Sequence, residues 1–291
     1  MSDELDWTTV PDHPVSRGGC GDIYRCKLTD STQVAIKTIH LYEDKEAKNQ
    51  KVLKHTAHEL YTWSKCRHIN VEPLLGLILF RGQLGIVATW QINGNLPCYL
   101  QRHPEADRCR ISLGVTAGIA HLHTKNVIHG DLKGANVLMS IEGVPRVADF
   151  GNAVLRDYTL KFSPTSTEGT FSTRWAAPEL FEEGKHSFAA DVYALGMTIL
   201  EAITRKVPWS GKTDRCIMYS VMIKKETPER PRDDIPADSE HGDQLWMLLK
   251  RCWQFEPGAR PSVHNVESAL EEITMHGLQY RAPDQSFGSY S

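Results

Sequence analysis

The chain has 291 residues, 41% hydrophobic and 24% charged, with 33 Lys and Arg against 36 Asp and Glu for a formal net charge of −3. That balance excludes a disordered chain, and the length suffices for one large core or two moderate ones. Near-neutral charge supplies no global field for nucleic acid or acidic membrane, and no basic run offers a local one, so neither partner is expected.

The first residues, Met1-Ser2-Asp3-Glu4-Leu5-Asp6, are acidic where a targeting segment would be basic, and no apolar stretch follows. Seven scattered cysteines, odd in number and without a C-x-x-C pair, predict free thiols in a reducing compartment. The chain is therefore expected in the cytoplasm, with the nucleus also open. A glycine cluster, Ser16-Arg17-Gly18-Gly19-Cys20-Gly21-Asp22-Ile23, lies between two expected strands. Residues 34–39 are β-branched and apolar, and a period of two puts Ala35, Lys37 and Ile39 on one face of a strand. Residues 43–65 read as a helix with Leu53, Thr56, Leu60 and Trp63 on one stripe and Glu59 one turn from Trp63. A second strand, Leu84 to Trp90, ends in the turn-rich Asn93-Gly94-Asn95, which predicts a lobe boundary near residue 92.

Beyond it the pattern is mainly helical. Ile111, Val115, Ile119 and Leu122 form one stripe, Leu245, Leu248, Leu249 and Cys252 another, and Val263, Val266, Leu270 and Ile273 a third. The apolar run from Val192 to Ile203 contains Glu201 and is far shorter than the ~20 residues a bilayer demands, so it predicts a buried helix. Residues 281–291 lack a periodic face and read as a disordered tail.

The chemistry gathers in three places. Small residues in the glycine cluster let backbone N–H groups approach phosphate oxygens. The stretch His129-Gly130-Asp131-Leu132-Lys133-Gly134-Ala135-Asn136 sits between the apolar segments Val127-Ile128 and Val137 to Met139, which predicts a polar loop held between buried strands. A carboxylate, an ammonium and an amide so close together suit phosphoryl transfer: Asp131 to accept a hydroxyl proton, Lys133 to neutralise the moving group, Asn136 to ligate a metal through its oxygen. A second carboxylate follows in Ala148-Asp149-Phe150-Gly151. Magnesium takes oxygen ligands, commonly one or two protein carboxylates plus substrate phosphates, and Asp149 with Asn136 meets that need.

In order, type and spacing these residues resemble the protein kinase family over roughly residues 12–275. The resemblance implies a bilobal α+β fold, with residues 1–11 as an N-terminal extension, a kinase domain over 12–280, an N-lobe over 12–92 that is rich in β-structure and has one helix, and a mainly helical C-lobe over 93–280. It implies ATP in the cleft, contacted by Ser16, Gly18, Gly19, Gly21, Ile23, Ala35 and Leu138, with Lys37 on the phosphates and Glu59 orienting Lys37. Ala88 resembles the gatekeeper, and the backbone of Thr89 and Gln91 the hinge that reads adenine. Asp131 and Lys133 are then catalytic, Asn136 and Asp149 hold Mg2+, and the partner is a protein substrate. Ala177-Pro178-Glu179 resembles the end of the activation segment and Arg260 the arginine that pairs with Glu179. Arg174-Trp175 and Cys252-Trp253 resemble the tyrosine-kinase-like group, while Lys133 is the serine/threonine signature. Nothing in the sequence indicates an oligomer, so a monomer is expected.

Two departures stand out. Ser16 replaces the first glycine of the phosphate loop, and Gly130 replaces the arginine expected before Asp131, the usual socket for a phosphorylated activation segment. That segment is crowded with hydroxyls, among them Ser163, Thr165, Ser166, Thr167, Thr170, Ser172 and Thr173, with Ser172 at the position where family members hydrogen-bond the catalytic aspartate and lysine. Two rival readings are a pseudokinase, disfavoured because Lys37, Asp131, Asn136 and Asp149 are all retained, and a small-molecule phosphotransferase, disfavoured by Lys133 and Ala177-Pro178-Glu179.

Overall fold

The computed structural model describes residues 1–18, 21–39, 54, 56–57, 60–150, 153–155 and 172–279. Five antiparallel strands form the first lobe: β1 (Ser16–Gly18), β2 (Gly21–Lys27), β3 (Gln33–Thr38), β4 (Leu74–Phe80) and β5 (Gln83–Thr89), in the order β1-β2-β3-β5-β4. The strands run into the glycine cluster itself, Gly18 pairing with Gly21, so its ends are sheet rather than loop. Strand alternation sorts β3 onto two faces. Val34, Ile36 and Thr38 are buried on one, while Ala35 and Lys37 are half-buried on the other.

The Val34 face has its own core, closed by the N-terminal residues. Leu5 is buried against Cys26, Val34, Ile36, Ile78, Phe80 and Val87, and Trp7 stacks on Phe80. Backbone bonds from Asp6 to the Lys27 carbonyl and from Thr29 to the Glu4 carbonyl fasten this segment to β2. A fully buried leucine contributes roughly 1.5–3 kcal/mol. Residues 54, 56, 57 and 60–64 are helical and present Thr56 and Trp63 inward; the earlier part of the expected helix, with Leu53 and Glu59, lies outside the described residues.

The second lobe holds α1 (Leu96–Arg102), α2 (Arg108–Thr124), α3 (Pro178–Glu182), α4 (Phe188–Thr204), α5 (Asp214–Met222), α6 (Glu240–Cys252), α7 (Val263–Glu271) and α8 (Met275–Gln279). Asn95, Asp107, Ser187, Thr213, Ser239 and Ser262 cap α1, α2, α4, α5, α6 and α7 respectively, each side chain accepting an orphan backbone N–H. All three predicted stripes are buried, although α7 ends at Glu271 and Ile273 packs from the following turn. Helix α4 is buried on every side and mostly apolar, and it runs through the core, as such a helix must. Among the described residues no helix is long and apolar enough to cross a membrane. The short strands β6 (Val127–Ile128), β7 (Val137–Met139), β8 (Pro145–Val147) and β9 (Val154–Leu155) pair as β6-β9 and β7-β8. Residues 281–291, expected to be a disordered tail, lie outside the described residues.

Candidate active site

The loop between β6 and β7 carries the densest chemistry. Lys133 Nζ lies 2.7 Å from Asp131 Oδ2 and 2.7 Å from Ser172 Oγ, and the Ser172 hydroxyl donates to Asp131 Oδ1 at 2.8 Å. The Asn136 amide nitrogen donates to the Asp131 carbonyl at 2.8 Å, which orients its oxygen away from that bond. The Ala148 N–H donates to the Asn136 carbonyl at 2.9 Å, tying the loop to the segment that bears Asp149. Across the cleft, Lys37 Nζ stands 3.4 Å from Asp149 Oδ1. Asp149 has φ of 64°, a left-handed conformation uncommon outside glycine, and Phe150 beside it is fully buried, stacked on Trp63 with centroids 5.3 Å apart.

Two buried acids of α4 hold this loop. Asp191 accepts the His129 N–H at 2.8 Å, the Gly130 N–H at 2.9 Å and the His123 ring at 2.9 Å. Burial works to raise its pKa, but the bond and charge of His123, the charge of His129 and the Gly130 N–H outweigh it and hold the carboxyl below its ordinary value. Glu201 accepts the Gly134 N–H at 2.9 Å and the Trp175 indole at 3.0 Å; here burial prevails and its pKa is raised. In the sequence Glu201 stands out only as a charge within the apolar run of a buried helix. A carboxylate inside an apolar run is itself a signal, because a buried charge demands partners. Arg260 makes the expected pair with Glu179 through two bonds of 2.6 and 2.7 Å.

The remaining predicted residues frame the opposite side of the cleft. Ser16 pairs with Ile23, Ile23 with Lys37, Ala35 with Ala88, and Thr89 with Val34. Gly21 admits no side chain: its φ is 154° and a Cβ would lie 1.7 Å from the Thr38 carbonyl oxygen. Leu138 is half-buried in β7 and bridges Asn95. Gly19 and Glu59 lie outside the described residues. Behind the hinge is a group that sequence reasoning missed. Glu72, 1% exposed, accepts the Gln91 side-chain amide at 2.8 Å, and its other oxygen has no partner among the described residues.

Gly130 has φ of 81° and opens onto a pocket of about 20 Å³, shared with Asp131, Ser172, Trp175, His186 and Asp191. Among the described residues no cluster of three or more His, Cys, Asp or Glu could hold a metal alone. The donor set of Asp149 and the Asn136 oxygen suits a hard cation whose remaining ligands come from a polyphosphate and water.

A polar loop of Asp, Lys and Asn facing a strand lysine and a second Asp, between a five-stranded lobe and a helical lobe, defines a phosphotransferase of the kinase type. The family model for the protein kinase domain matches residues 11–271, and the chain belongs to the protein kinase family. It is 31% identical over 282 residues to Serine/threonine-protein kinase STY17 of Arabidopsis thaliana, covering 95% of this chain and 47% of that one. It is 30% identical over 260 residues to the Serine/threonine/tyrosine-protein kinase HT1 of the same plant, covering 88% and 64%. With Mitogen-activated protein kinase kinase kinase YODA, also from that plant, it shares 31% over 250 residues, 84% of this chain and 27% of the relative. The chain thus spans between about a quarter and two thirds of these relatives.

Proposed function

We propose that this chain is an ATP-dependent protein kinase that transfers the γ-phosphoryl group to serine and threonine hydroxyls of protein substrates. The observation that carries the reading is the Ser172 hydroxyl held by Asp131 and Lys133, 2.8 and 2.7 Å away. The same carboxylate and ammonium suit an incoming acceptor hydroxyl. Asp131 orients that hydroxyl and takes its proton, and Lys133 offsets charge on the group in transit. Lys37 binds the α and β phosphates, with Glu59 as its orienting partner. Asp149 and the Asn136 oxygen would hold Mg2+, which supplies charge neutralisation on the phosphate oxygens. Thr89 and Gln91 hold the adenine edge through backbone groups, and Ala35 and Leu138 cover its faces. The glycine loop from Ser16 through Gly18, Gly19 and Gly21 to Ile23 covers the phosphates.

Lys133 supports serine/threonine specificity, as do the names of the relatives, one of which adds tyrosine. We place the protein in the reducing cytoplasm or nucleus, in keeping with cysteines that are free wherever described, and propose that it acts as a monomer. The test is transfer of label from radioactive ATP with magnesium to a generic protein substrate, followed by phosphoamino-acid analysis. Phosphoserine or phosphothreonine is expected. No transfer would favour a pseudokinase, and predominant phosphotyrosine would overturn the specificity.

A further inference from the structure

Helix α5 breaks the rule that a short surface helix hides its apolar residues. Ile217, Ser220 and Val221 face the core, yet Met218, Tyr219 and Ile223 are 46%, 55% and 68% exposed. At 100° per residue, Met218, Arg215, Tyr219 and Ile223 fall within about 140° of arc, opposite the buried stripe, while Met222 between them packs partly against the core. An apolar helix face left in water marks a surface made to be covered.

The surroundings of this face are cationic. Residues 205–226 carry six Lys and Arg against two acids in a chain whose net charge is −3. Both acids are already engaged, Asp214 with Arg174 at 3.9 Å and Glu226 with Lys224 at 3.5 Å. Lys224 lies over the Tyr219 ring, Lys225 over Phe255 and Lys212 over Trp209, so three ammonium groups are held on aromatic faces around the patch. The cations come from a loop, a helix and a helix end, so they form no run in the sequence.

The patch is also anchored to the reaction centre. Arg174, two residues beyond Ser172, donates to the carbonyls of Pro208, Trp209 and Lys212, the loop that leads into α5. A segment seated on α5 is therefore held at a fixed distance from Asp131.

We propose that the exposed face of α5 is a docking site for an acidic segment of the protein substrate, one that carries aromatic or aliphatic anchors and lies outside the acceptor sequence. Apolar anchors cover Met218, Tyr219 and Ile223, and carboxylates meet Lys212, Lys224 and Lys225. This rests on the protein-kinase reading above, so the test includes a readout that needs no phosphoryl transfer.

Two synthetic peptides share one serine acceptor, and one is extended by Asp-Glu-Asp-Phe-Asp-Glu-Leu. Fluorescence anisotropy of the labelled extended peptide, without ATP, is measured on the whole chain and on Y219A/I223S and K224E/K225E, with melting temperature checking the fold. The extended peptide should bind at least tenfold more tightly than the short one, and both variants should remove that preference. In the kinase assay the extension should lower KM tenfold or more with kcat unchanged, and the variants should match wild type on the short peptide. Equal binding of both peptides, or a preference that survives both variants, overturns the proposal. So does equal binding of a version with Lys in place of each acid. A wild-type dimer in light scattering that Y219A/I223S dissociates would assign the face to a second copy instead. Tight, variant-sensitive binding without transfer would instead fail the kinase reading alone.

Discussion

Glu72 offers a quantitative test of how the hinge is built. Burial pushes its carboxyl from the ordinary 4.5 up to about 7, against the opposing pull of the Gln91 amide, the Arg146 charge and the Thr89 N–H. That gap corresponds to about 3 kcal/mol between the two protonation states. The folded state holds the proton more tightly than the unfolded chain, so this contribution is whole below pH 4.5 and is lost as pH rises through about 7. Glu72→Gln keeps the shape and an acceptor for Gln91 but cannot ionise. The variant should match the wild type near pH 5 and exceed it by up to about 3 kcal/mol near pH 8.5, roughly 5–10 °C in melting temperature. Calorimetric scans of both proteins from pH 5 to 8.5 measure the difference. A gap that fails to widen with pH, or a wild type that is the more stable at pH 8.5, would refute the account of a buried and under-partnered carboxyl.

Lys37→Met should leave the fold intact and reduce phosphoryl transfer by roughly a hundredfold or more, about 3 kcal/mol of transition-state stabilisation; wild-type turnover with an unchanged melting temperature would contradict the role. Asp149→Asn should weaken ATP binding in magnesium more than binding without it, and calorimetric titration under both conditions would refute this if the losses were equal. Gly130 stands where a cation would serve a phosphate in the activation segment, so treatment with a broad phosphatase should leave basal activity within a fewfold of the starting value. A drop of tenfold or more, roughly 1.4 kcal/mol, reversed by rephosphorylation, would show that another cation serves a phosphate in the activation segment.

Much of this architecture is legible in local pattern. Alternation in residues 34–39 places Lys37 on the face opposite Val34 and Ile36, because a strand has no other period. Apolar segments on either side of His129 to Asn136 require a polar loop between buried strands, and β6 and β7 supply them. Stripes at helical spacing identify the buried faces of α2, α6 and α7. Tertiary structure decided what depends on residues far apart in the chain. Lys37 meets Asp149 across 112 positions, and Glu201 reaches Gly134 across 67. Asp191 holds the backbone of the catalytic loop, a role that its place at the start of a helix does not reveal. Residues 1–11 read as a plain extension, yet Leu5 closes a core on the outer face of the sheet, because that face is visible only once five strands have assembled. The same holds for Glu72 and for α5. A carboxylate in a short polar stretch looks solvated until packing removes its water, and an apolar helix residue looks buried until the fold turns it outward. Periodicity is set by backbone geometry and survives in one dimension, whereas burial and charge pairing are properties of the assembled chain.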